Sequence, residues 1–122
     1  MSGQPPIPGA TRVVAIFEDL LLGSNVLGML RAAGYAAELS SAERARLDGA
    51  DVVIADLAGG ADPAALKALA GDAKVLGVYS HVHVDQRANV VAAGFDMVVP
   101  RSRMAREGPA LVHSLLSGPT SP

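Results

Sequence analysis

Five short apolar runs punctuate the chain: Arg12–Phe17 (RVVAIF), Tyr35–Leu39 (YAAEL), Asp51–Asp56 (DVVIAD), Lys74–Tyr79 (KVLGVY) and Met97–Pro100 (MVVP). Three of them are nearly continuous Val and Ile, without the polar alternation of a strand that has one wet face. Such runs suit strands covered on both sides, as in a parallel sheet. Helical signals fill the gaps. Ser24 or Asn25 is placed to cap a helix carrying Val26, Leu27, Leu30 and Ala33, which Gly34 stops. Ser40 and Glu43 have capping-box spacing before a short helix ending near Leu47. Asp62-Pro63 predicts a cap and first turn, with Leu66 and Leu69 on one face and Gly71 at the end. Val84, Ala88 and Val91 recur at i, i+4 and i+7 before Gly94, and Pro109 opens a last stripe of Leu111, Val112, Leu115 and Leu116.

Strand and helix thus alternate five times. Right-handed crossovers then predict an α/β fold, a doubly wound five-stranded parallel sheet with helices on both faces. With five strands the expected order is the flavodoxin-like 2-1-3-4-5, in which ligands gather outside the carboxyl ends of the strands near the switch point. The residues expected at those ends are Glu18 and Asp19, Asp56, Ser80, and Pro100-Arg101. The domain is expected over residues 11–117. Residues 1–10 and 118–122, rich in Pro and Gly, read as flexible tails.

Composition narrows the function classes. The 122 residues contain no Cys, which removes disulfide and thiol chemistry, and no Trp. Only Phe17, Phe95, Tyr35 and Tyr79 are aromatic, too few for a single-strand stacking platform, and the formal net charge of -2 lacks the basic footprint of a nucleic-acid binder. No apolar run approaches the ~20 residues of a membrane span, and no basic-then-apolar leader opens the chain. The expectation is a cytoplasmic protein that binds neither nucleic acid nor membrane.

In the expected strand order the first and third strands are neighbours, so Glu18, Asp19 and Asp56 would share one rim. Like charges at short range repel. A Mg²⁺ ion held by carboxylates, waters and phosphate oxygens would offset that repulsion. Ser80 and Arg101 would then contact a phosphoryl group, with Asp56 as nucleophile. The plainer reading of Glu18 and Asp19 is placement at a helix N-terminus, where acids are favoured by the dipole.

This constellation resembles the CheY-like receiver domain of bacterial two-component response regulators, over about Arg12 to Leu116. DVVIADL is similar to the third strand with its phospho-accepting aspartate (Asp56), VLGVYSH to the fourth strand with its hydroxyl residue (Ser80), and AAGFDMVVPRS to the segment in which receivers carry lysine (here Arg101). The chain departs from the family at several points. Arg101 replaces the lysine, Val98 stands at the aromatic switch position, and the stretch after Asp56 is short. A closer resemblance is to atypical receiver-like proteins, through Asp19-Leu20-Leu21-Leu22-Gly23-Ser24, Ser80-His81-Val82 and Pro100-Arg101-Ser102. The resemblance implies a stand-alone signalling module working through protein contacts, with a histidine kinase or a downstream signalling protein as partner and a homodimer as a further option. The departures favour a pseudo-receiver over a phosphorylatable regulator that uses Asp56 and Mg²⁺.

Other patterns compete. His81, His83 and Asp85 spell His-x-His-x-Asp, similar to the first metal motif of metallo-β-lactamase-like hydrolases. That chemistry needs more ligands, and only His113 remains, so a metal-dependent hydrolase stands third. Gly23 to Gly28 has phosphate-loop spacing without the Lys-Ser/Thr that follows, so both glycines read as close-approach positions. Arg101, Arg103 and Arg106 read as a solvated loop before the last helix. Met97, Val99 and Met104 read as apolar surface for a partner, or as core.

Overall fold

The computed structural model describes residues 11–40, 47, 49–57, 63–79 and 94–117. Along these run β1 (Arg12–Ile16), α1 (Leu20–Ala32), β2 (Ala36–Ser40), β3 (Val52–Asp56), α2 (Pro63–Ala70), β4 (Lys74–Tyr79), β5 (Met97–Pro100) and α3 (Arg101–Ser117). The strands form one sheet in the order β2-β1-β3-β4-β5. Every neighbouring pair is parallel, with Ile16 beside Ala55 and Asp56 beside Val78. The expected class and strand order are both present. The capping box at Ser40–Glu43 and the stripe Val84–Val91 reach outside the described residues.

The continuous apolar runs have their cause in two cores. Val13, Ala15, Val52, Ile54, Leu76, Val78 and Val99 face one side, against Val26 and Leu30 of α1 and Met104, Leu111, Val112 and Leu115 of α3. Val14, Ile16, Val53, Ala55 and Val75 face the other, against Leu66 and Ala70 of α2 with Leu47, Leu57 and Phe95. Successive side chains of a strand point to opposite faces, so a strand buried on both must be apolar at nearly every position. Val99 and Met104 belong to the first core and Met97 packs on its edge, so the apolar surface read around them is largely interior. Leu66 is buried as expected, but Leu69 is 63% exposed.

The amino-terminal edge uses its acids structurally. Asp51 Oδ2 accepts the Arg12 amide at 2.9 Å, and Asp96 Oδ2 accepts that of Val75 at 2.8 Å. Each carboxylate satisfies a strand-end donor that the ladder leaves over.

Both helices flanking the first core begin earlier than expected. The cap of α1 is Asp19, five residues before Ser24. Its C-terminus does match: Tyr35 N–H reaches Leu30 O, Gly34 N–H reaches Arg31 O, and Gly34 has φ 97. That pairing ends a helix through a left-handed residue, which glycine adopts without penalty. At the other end of the chain, α3 starts at Arg101, so Arg103 and Arg106 lie on a helix and not in a loop. Pro109 does open a segment, because α3 kinks at Glu107 (φ -125, ψ 16). Proline offers no N–H and its ring crowds the preceding turn.

Of the two glycines read as close-approach positions, only Gly23 is one. A Cβ there would lie 2.9 Å from Leu39 Cδ1 and 3.0 Å from Phe17 Cβ, whereas at Gly28 nothing lies within 4 Å. Overpacking costs about 1–3 kcal/mol, against about 1 kcal/mol of helix propensity gained over glycine. Gly23→Ala is therefore expected to lower stability by about 1 kcal/mol and Gly28→Ala to raise it by up to about 1 kcal/mol. Urea midpoints that shift in opposite directions check the contact; two upward shifts would contradict it.

Candidate functional site

The carboxyl edge is assembled by the neighbour relation of β1 and β3. β3 ends at Asp56, and β1 leads through Phe17 and Glu18 into Asp19, the cap of α1. Asp19 has extended backbone (φ -80, ψ 102), and its Oδ1 accepts the amides of Leu21 and Leu22 at 3.0 and 3.1 Å. A carboxylate in that position satisfies two donors the helix cannot and meets the positive end of its dipole. The plainer reading of this acid therefore holds, and it leaves Oδ2 for other work.

Asp56 is the one buried charged residue among the described residues. Its side chain has 0% exposure, and its Oδ2 accepts a hydrogen bond from Arg101 Nη2 at 2.8 Å. The other terminal nitrogen of the same guanidinium, Nη1, lies 3.6 Å from Asp19 Oδ2. One planar fork thus spans two carboxylates from two elements. Arg101 is itself the first residue of α3, directly after the last residue of β5. Its side chain is 32% exposed, yet its Nε is buried and has no hydrogen-bond partner among the described residues.

Of the residues expected here, Asp19, Asp56 and Arg101 come together. Glu18 is exposed, and among the described residues no group of three or more His, Cys, Asp or Glu is placed to hold a metal. Glu18, Asp19 and Asp56 are therefore not brought together as one set of metal ligands. Mg²⁺ requires near-octahedral oxygens at about 2 Å and keeps several waters. The two carboxylate oxygens in question already face a cation, and Asp56 offers a hydrated ion no exposed side-chain surface. As placed, the residues do not fit the ion. Ser80, His81, His83 and Asp85 lie outside the described residues. His113 is exposed on α3 near the Ser117 hydroxyl, within the 17-residue helix that Arg101 begins at the sheet edge.

The pairing is asymmetric, which gives an ordered prediction. Arg101→Met takes a guanidinium from a carboxylate that water does not reach, whereas Asp56→Asn leaves a partly exposed guanidinium beside Asp19. Removing one partner of a fully buried pair costs about 3–5 kcal/mol, and the exposure of Arg101 reduces that figure. Arg101→Met is expected to lose about 2 kcal/mol and Asp56→Asn about 1 kcal/mol by urea denaturation. The reverse order would show that Asp56 is not held by Arg101.

No family model matches the sequence, and no curated protein matches it. Solved structures do. A CheY-like response regulator receiver domain protein from Methanospirillum hungatei JF-1 aligns with TM-score 0.77 and 14% identity, covering 89% of this chain and 95% of that one. A response regulator receiver protein from Burkholderia phymatum aligns with TM-score 0.74 and 20% identity, covering 92% and 99%. HP1043, an orphan response regulator of H. pylori, aligns with TM-score 0.71 and 20% identity, covering 93% and 98%. With the strand order and both cores in place, the chain has the CheY-like, flavodoxin-like fold of response-regulator receiver domains.

Proposed function

We propose that this chain is a pseudo-receiver, a signalling module that keeps the receiver fold and works through protein contacts without phosphoryl transfer. One observation carries the reading: the Asp56 carboxylate is wholly buried and hydrogen-bonded at 2.8 Å to Arg101. In-line attack on a phosphodonor needs an accessible oxygen and room for the incoming group. It also needs a cation able to shift from the carboxylate to the phosphoryl oxygens. Arg101 is committed to two acids and fixed by its place at the start of α3. Ser80, expected as a phosphoryl contact, has no part in this argument.

Protein contact is supported at the same rim. Leu20 and Leu21, the first residues of α1, are 67% and 75% exposed beside Asp19. Two adjacent exposed leucines next to a fixed charge pair suit a partner with a complementary apolar surface. The partner class is a signalling protein, such as a histidine kinase or a downstream component. No helix among the described residues is long and apolar enough to cross a membrane.

A second reading has one observation in its favour. Asp56 ends the central strand β3, where the family resemblance puts the phospho-acceptor. It makes this a phosphorylatable regulator with Asp56 as nucleophile and Mg²⁺ as cofactor.

The two separate in one experiment. The protein is incubated with a small phosphodonor and Mg²⁺ and its intact mass is measured, with Asp56→Asn as control. The expected result is no acid-labile phosphate adduct, and partner binding that the treatment leaves unchanged. An adduct that Asp56→Asn abolishes would establish the phosphorylatable regulator instead.

A further inference from the structure

We propose that Arg101 is the resident cation of this site, holding the position that a divalent ion would otherwise take between Asp19 and Asp56. The inference deepens the pseudo-receiver reading and rests on it for its biological meaning. Three observations support it. Each terminal nitrogen of the guanidinium faces a carboxylate oxygen, at 2.8 Å for Asp56 and 3.6 Å for Asp19. The acid with the shorter contact has no exposed side-chain surface, so its charge must be neutralised from within the protein. Finally, Arg101 Nε is buried and has no hydrogen-bond partner among the described residues. An arginine that gives up a buried donor is held by its charge partners, since burying an unmatched N–H is otherwise unfavourable.

The chemistry of the side chain matters. Arginine is always charged, planar and forked, so it can face two carboxylates at once. Lysine carries a compact point charge with three rotatable donors and no rigid fork. Mg²⁺ binds through one or two carboxylates and keeps its waters, so to bind here it would have to approach oxygens that the guanidinium already faces. Fork and ion therefore exclude each other, and this chain has built the cation into its sequence. The charge state of the rim then does not depend on divalent-ion concentration.

The test is a melting curve of the full chain with and without MgCl₂, against NaCl at matched ionic strength. Wild type is expected to show no shift attributable to Mg²⁺. Arg101→Met keeps much of the apolar stem and removes the fork. It is expected to gain a Mg²⁺-dependent rise of about 5 °C at tenfold excess over the dissociation constant. Adding Asp56→Asn to Arg101→Met is expected to abolish the gain. Should Arg101→Met not fold, Arg101→Lys decides the matter, with a smaller but measurable Mg²⁺ response expected. A wild-type response equal to that of the variant, or no response in any folded Arg101 variant, would overturn the proposal. A phosphate adduct on Asp56 would instead overturn the pseudo-receiver reading, so the two failures are distinguishable.

Discussion

A carboxylate shut away from water has to be neutralised, and in this protein Asp56 is neutralised by Arg101. A buried ionised carboxylate is among the most costly groups a fold can contain, and it persists where a fixed opposite charge faces it. Here the opposite charge arrives from 45 residues away. It comes from the first residue of α3, directly after the edge strand β5, and it also faces the cap of α1. The ends of three elements are thereby tied at one point. The tie forms only if β1 and β3 are neighbours and if α1 and α3 share a face of the sheet. Both conditions hold, as the strand order and the shared core of Val26, Leu30, Met104 and Leu111 show.

The two edges of the sheet use acids in different ways. At the amino edge, Asp51 and Asp96 accept strand-end amides and work as caps for the ladder. At the carboxyl edge, Asp19 divides its two oxygens between a helix cap and a cation. This double use explains how the acid at residue 19 is held in place. The helix dipole and two amide donors already stabilise it, and the guanidinium adds to a charge that is satisfied locally.

Much of the scaffold was legible in the chain because its inner strands β1, β3 and β4 are forced to be apolar on both faces. Val13 and Val14, or Val52 and Val53, go to opposite cores, so a run of valines has only one sensible place in such a fold. Helix stops were legible through Gly34 and Gly71, which adopt positive φ. Helix starts were not. α1 begins at a residue that reads equally well as a ligand, and the first turns of α3 bury only Met104 and Gly108 among charged neighbours. One buried side chain per turn leaves no stripe for periodicity to reveal. The resemblance did bring Asp19, Asp56 and Arg101 to one rim, but with Arg101 as a contact for a phosphoryl group. That it pairs with the acids themselves depends on the direction of a long side chain, which the sequence pattern does not encode.

The cation at residue 101 is an arginine, and its forked shape sets how it meets the two acids. A rim that switches needs a cation that can leave one oxygen for another as charge arrives. An ammonium can make that exchange, because its three donors rotate on a flexible four-carbon stem. A fork whose two arms already have carboxylate partners must break both contacts together, and its backbone is fixed at the junction of β5 and α3. The same geometry that satisfies the buried aspartate therefore also ties down the cation that faces it. Beside this charged rim stand the exposed Leu20 and Leu21. A surface of fixed shape and charge suits recognition, since a partner then meets a pre-organised face and little ordering cost is left to binding.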